Sequence, residues 1–216
     1  MFSAPVRKEI DHRTMKLIVG VIAMSLAFLT NLFAQSPLTS VSASYWEGGW
    51  SESIFIGFLF AIAAFLLAYN GYSKSEMLLS KAAALAGLGV ALFPCGCDGH
   101  PEIVPYVHWV SAAVMFLTLA YFCYGFRRRA LAKGHPQAKL RATIYAVCGI
   151  TIAGAIAVLA LSNLLGLTAG NPRLTFFGEA TALVAFGVSW LTASRVLPLL
   201  TRRDERFWPL REVNPE

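Results

Sequence analysis

Six stretches of the chain are apolar almost without interruption, and the polar residues collect between them. A helix rises about 1.5 Å per residue, so crossing a hydrocarbon layer about 30 Å thick takes roughly 20 such residues. The pattern predicts spans at 15–34, 53–69, 78–93, 106–126, 144–167 and 176–197. No block remains for a soluble unit. The chain therefore reads as one membrane domain over 1–216, all-α, an integral bundle of six transmembrane helices. The first span is followed by Gln35-Ser36-Pro37 instead of a small-x-small cleavage pattern, so it is expected to stay attached.

Composition agrees with the pattern. Hydrophobic residues make up 56% and charged residues 14% of 216, with a mean hydropathy of +0.59, outside the range of ordinary soluble domains. Of the 18 lysines and arginines, all but Arg173 fall on one side of the predicted bundle: before the first span (Arg7, Lys8, Arg13, Lys16), around the second turn (Lys74, Lys81), across "RRRALAKGHPQAKLR", and from Arg195 to Arg211. Cytoplasmic loops carry such an excess, so both termini are expected in the cytoplasm. The net charge of +6 is then first a topology signal. It also favours anionic lipid headgroups, at about 1 kcal/mol per residue near the surface. Nucleic acid is not an expected partner, because neither Arg127–Arg129 nor "TRRDERFWPLR" has the aromatic interleaving such binding uses.

Acidic and uncharged polar residues gather at the opposite end: Asn31, Gln35, Glu47, Glu52, Asp98, His100, Glu102, His108, Asn163 and Glu179. Chemistry is therefore expected to face outward. Glu179 is the most informative, since a carboxylate within a span is costly and usually faces the bundle interior or a wet cavity. Leu183, Phe186 and Trp190 continue its helical stripe toward the other end. The bland alternative is that Glu179 reaches headgroup water or bonds another helix.

"FPCGCDGHPE", from Phe93 to Glu102, crowds two cysteines, an aspartate, a histidine and a glutamate into one turn. Cys95 and Cys97 are one residue closer than a Cys-x-x-Cys redox or zinc pair, so a disulfide between them is a weak expectation. Asp98, His100 and His108 offer two imidazoles and a carboxylate, a donor set suited to zinc or another first-row divalent metal. Pro94, Gly96, Gly99 and Pro101 equally make a plain polar turn, which is the preferred reading; no cofactor is the default expectation. In "SPLTSVSASYWEGGWSES", Thr39, Val41, Ala43 and Tyr45 alternate with serines, which permits a short strand over the bundle mouth. Trp46 and Trp50 read as an interfacial aromatic belt, or alternatively as part of a lid bending at Gly48 and Gly49. Cys123 and Cys148 are expected to be reduced packing residues.

The runs "SVSASYW", "SESIFIGFLFAIAAFLLAYNGYS", "AGLGVALFP", "HWVSAAVMFLTLAYF" and "FFGEATALVAFGVSWLTAS" resemble the prokaryotic membrane family known as domain of unknown function 998. The likeness extends from about 36 to 194 and is most specific around Glu179, Ser189 and Trp190. It implies about six helices in a bacterial plasma membrane and no established activity. "CGCDGHPE" departs from the family pattern, leaving His108 and Glu179 as the positions supported by both readings. A more distant likeness is to eukaryotic DRAM-type six-helix proteins, associated with lipid organisation.

Three functions follow as expectations. The first is binding of a membrane lipid, or of a membrane-protein partner as an accessory subunit or homo-oligomer, through Trp46, Trp50, His108, Trp109, Glu179 and Trp190. The second is a metal-dependent hydrolase of outer-leaflet lipid, with Asp98, His100 and His108 as ligands and Glu179 or Glu47 as general base. The third is a transporter with Glu179 as proton-coupling carboxylate.

Overall fold

The computed structural model describes residues 12–208; Arg7, Lys8 and Arg211 of the charge pattern lie outside them. The described chain is all-α, with helices α1 (His12–Phe33), α2 (Ser44–Glu47), α3 (Gly49–Ala68), α4 (Lys74–Leu92), α5 (Val107–Leu131), α6 (Pro136–Leu164) and α7 (Leu174–Ser194). All except the four-residue α2 are long and apolar enough to cross a membrane. Among the described residues there is no strand, so the alternating loop before α2 does not form the one expected. Its serines bond locally instead: Ser40 Oγ accepts from the Ala43 N–H at 2.9 Å and Ser44 Oγ donates to the Val41 carbonyl at 2.6 Å. Such side-chain to backbone bonds compete with sheet formation.

Helix ends depart most from expectation where charge begins. α5 runs on through Arg127, Arg128 and Arg129 to Leu131, and α6 starts at Pro136 instead of 144. Arginine and lysine are good helix formers, so the helices outlast the apolar stretch that betrays them. At 29 residues α6 is about 43 Å long, more than a hydrocarbon core requires. Its start is fixed by Pro136 in the first turn and by His135 Nδ1, which accepts from the Ala138 N–H at 3.2 Å. Likewise Ser73 caps α4 by accepting from the Glu76 N–H at 3.1 Å.

Each long helix packs on its neighbours in sequence, and α1 on α7 closes the ring. Lipid tails are as apolar as leucine, so close packing and not exclusion of water must hold such a ring together. At the α1–α7 seam Gly20 faces Gly187: a Cβ on Gly187 would lie 2.3 Å from Met24 Cγ and 2.7 Å from the Gly20 carbonyl oxygen. Backbone meets backbone there. The centre of the ring is aromatic, with Trp190 fully buried 5.2–6.1 Å from the rings of Tyr69, Phe122, Phe126 and Phe186. Trp190, expected to bind ligand, is thus a core residue. Cys123 and Cys148 are free and buried, and Cys123 Sγ donates to Ser189 Oγ at 3.2 Å.

The described lysines and arginines other than Arg173 lie at one end, where Glu205 draws the chain after α7 back under the bundle. Its carboxylate pairs with Lys133, with Arg141 at 3.2 Å and with Arg195 at 2.8 Å. Burial alone would raise this carboxyl. The Lys133 hydrogen bond and the charges of Arg195, Lys133 and Arg141 overcome that and hold it at about 2, below the ordinary 4.5.

Candidate functional site

The opposite end, the mouth, is closed by the segment 34–48. Leu38, Val41 and Ala43 are buried there. The segment is pinned at three points to two other parts of the chain, α7 and the turn after α4. The Phe176 N–H donates to the Thr39 carbonyl at 2.9 Å, Thr39 Oγ1 donates to the Asp98 carboxylate at 3.0 Å, and Trp46 Nε1 donates to the Cys95 carbonyl at 3.0 Å. Gly48 and Gly49, with φ of 72° and 59°, turn the chain from α2 into α3. The loop is therefore a lid in place over the mouth. Trp46 is half-buried in that lid. Trp50 is 72% exposed at the start of α3 and lines neither mouth cavity.

Beneath the lid three polar side chains from distant parts of the sequence meet. His108, in the first turn of α5, is 2% exposed. Its Nδ1 lies 2.8 Å from the Phe93 carbonyl and its Nε2 lies 3.1 Å from Ser42 Oγ. A carbonyl can only accept, so Nδ1 carries a proton. In the neutral ring Nε2 is then the acceptor for the Ser42 hydroxyl. Ser42 Oγ also lies 3.4 Å from Glu179 Oε1, while Glu179 Oε2 accepts from the backbone N–H of Val41 at 2.6 Å and of Ser42 at 3.4 Å. The single hydroxyl proton cannot serve both His108 and Glu179. One added proton on either of them would satisfy every contact in the row.

Two cavities adjoin this row. A polar one of about 390 Å³ lies under the lid, lined by Ser42, Cys97, Asp98, His108, Asn163 and Glu179 among others. A larger and mainly apolar groove of about 690 Å³ runs between α5 and α6, walled by Ala112, Ala113, Phe116, Ile156 and Ala160. Trp109, Leu159, Asn163 and Glu179 line both, so the polar cavity and the apolar trough adjoin. Small side chains on the two facing helices make the trough.

The expected metal ligands are not brought together. His108 points into the bundle, His100 stacks flat on Trp46 with ring centroids 4.3 Å apart, and Asp98 is turned to Thr39. Among the described residues no three histidine, cysteine, aspartate or glutamate side chains converge as a metal site would require. Neighbours in sequence are separated here because the turn ends in a helix start. Tyr106, at φ 65°, swings the chain so that His108 enters the core while the turn stays outside. Cys95 and Cys97 are bonded to each other. Glu47 accepts from the Gln35 N–H at 2.8 Å and Ser36 Oγ at 2.9 Å; it braces the lid from outside and lines neither cavity.

Of the expected site residues, His108, Trp109 and Glu179 share one site. Sequence reasoning missed Ser42, which joins two of them. The only trace of it was the serine alternation at Ser40, Ser42 and Ser44. No protein-family model, curated protein or solved structure matches the chain.

Proposed function

We propose that the protein binds one membrane amphiphile at the mouth, its chain in the α5–α6 groove and its head beside Ser42, His108 and Glu179. The adjacency of an apolar trough and a polar cavity, which share four lining residues, carries this reading: each alone is ordinary, but together they match a molecule with one oily and one polar part. Asp98 and Glu179 line the head cavity without a lysine or arginine, which favours a head bearing hydroxyl or amine donors over an anionic one. The charge asymmetry along the chain supports a cytoplasmic basic end, and hence a mouth facing the outer leaflet.

Lipid analysis of the purified protein tests this. Ala160→Trp places an indole in the trough, and the variant is expected to lose a lipid that the wild type retains above its share in the bulk membrane. Bulk-like lipid in both proteins would end the proposal.

One observation favours a second, catalytic reading. A serine hydroxyl 3.1 Å from a histidine nitrogen, on a ring oriented from its other side by a carbonyl, has the geometry of an activated nucleophile. Ser42 Oγ would attack an ester carbonyl carbon and pass its proton to His108 Nε2. His108 would return that proton to the departing alkoxide, and water would then hydrolyse the acyl-serine. A fluorophosphonate that labels the wild type and not Ser42→Ala supports this reading; no labelling of either removes it.

A further inference from the structure

The basic end holds a cavity that the mouth does not explain. It measures about 390 Å³, and its wall includes six cations, Arg13, Lys16, Arg129, Lys133, Arg141 and Arg195, against two carboxylates, Asp204 and Glu205. Setting the sidedness of a membrane protein needs only exposed cations near the helix ends. Two of these are buried instead: Lys16 is 4% exposed and Arg141 1%. Burying a cation is costly unless it is paired.

Arg141 is paired, with the Leu200 carbonyl and Glu205. Lys16 is not: among the described residues it makes no hydrogen bond or ion pair, and its Nζ rests 5.3–5.5 Å from the ring centroids of Tyr69, Tyr72 and Phe126. Next to it Arg129 uses one guanidinium nitrogen on Glu76, while its Nη2 is buried with no hydrogen-bond partner among the described residues. The Arg129 guanidinium is held over Tyr72, 4.6 Å from the ring centroid. Among the described residues, no hydrogen-bond acceptor reaches Lys16 Nζ or Arg129 Nη2.

We propose that this cavity binds a phosphoryl group, with Lys16 Nζ and Arg129 Nη2 as its principal donors. A phosphate offers three or more acceptor oxygens and a charge that balances the cation excess, and arginine and lysine together suit it as fork and point charge. Glu205 already occupies the Lys133, Arg141 and Arg195 side of the cavity with a carboxylate, which leaves the Lys16 and Arg129 side for the ligand. The volume falls in the range of small-molecule sites, roughly 300–1,000 Å³. The phosphoryl group belongs either to a lipid headgroup or to a free phosphate compound.

The test uses the full chain in nonionic detergent. In one arm inorganic phosphate is titrated at constant ionic strength and the melting temperature is read. In the other, phosphatidylcholine vesicles with and without phosphatidic acid receive the protein, and the retained lipid is measured. Stabilisation by phosphate itself identifies a free ligand; retention of phosphatidic acid without a phosphate effect identifies a headgroup. In either case Lys16→Met is expected to weaken the effect by roughly tenfold or more, the scale of losing one charge-assisted hydrogen bond, and Lys16→Arg to restore it. Arg129→Lys keeps a cation for Glu76 but replaces the guanidinium fork by a single ammonium, so the unpartnered Nη2 is lost with it. It is expected to weaken binding several-fold, and it decides between the outcomes if Lys16→Met does not fold. No response in either arm, or responses equal in wild type and both variants, overturns the proposal.

Discussion

Replacing Glu179 by leucine removes the acceptor that holds the middle of the lid. The Val41 and Ser42 amides now donate to Oε2, at 2.6 and 3.4 Å. Leucine would leave both without a partner, while the Ser42 hydroxyl keeps His108. Each buried donor left unpaired costs about 1–3 kcal/mol. Taking about 1.5 kcal/mol for each, in the lower half of that range because the second contact is long, the closed lid loses about 3 kcal/mol relative to the open one. The other pins, at Thr39, Asp98 and Trp46, are untouched, so the bundle itself is expected to stay folded. Amide hydrogen exchange of peptides covering 38–44, followed by mass spectrometry in detergent, reads the change directly. At about 1.4 kcal/mol per tenfold, exchange is expected to accelerate on the order of a hundredfold. Glu179→Gln keeps a carbonyl acceptor and is expected to stay within about tenfold of wild type. Wild-type protection of Val41 and Ser42 in the leucine variant would refute the claim that Glu179 fastens the lid.

At the α1–α7 seam, Gly187→Val is expected to lower the melting temperature by the equivalent of about 1–3 kcal/mol or more, because its nearest obstacles include the Gly20 backbone carbonyl. Gly57→Ala, where an added Cβ meets nothing within 4 Å, is the matched control and is expected to be neutral or stabilising. The tail after α7 is expected to be sensitive to acid. Glu205 is held at about 2 against an ordinary 4.5, so its contribution is complete above about 4.5, declines as pH falls, and is gone below about 2. Protection of peptides covering 198–208, corrected for the intrinsic pH dependence of amide exchange, is expected to fall between pH 6 and pH 3 in the wild type. Glu205→Gln should show low corrected protection at both pH values, and a wild-type tail whose protection is indifferent to pH would contradict the assignment.

The six helices were legible because lipid demands long apolar runs, and nothing else in the chain has that length. Their ends were not, because Arg127–Arg129 and Lys139 to Arg141 are unfit for hydrocarbon but fit for helix. Glu179 and His108 could be found from sequence since polar groups in or beside a span require a reason. Ser42 could not, as a serine in a loop requires none. Trp190 lay correctly on the stripe of Glu179, but a stripe gives direction around a helix and not what stands opposite; four aromatic rings do. Asp98, His100 and His108 show the reverse limit: their closeness along the chain permitted a metal site beside the preferred polar turn, and the fold does not bring them together.

The trough between α5 and α6 lies on the flank of the bundle, beside residues such as Val110, Leu161 and Leu164 that are more than half exposed. A ligand entering there would come from the bilayer and never be dissolved in water. Its supply would be set by its mole fraction among neighbouring lipids, and its search would run in two dimensions. Burying its tail would gain little, since the tail leaves one oil for another. Selection would then rest on the head, and the few polar atoms under the lid would decide which lipid stays.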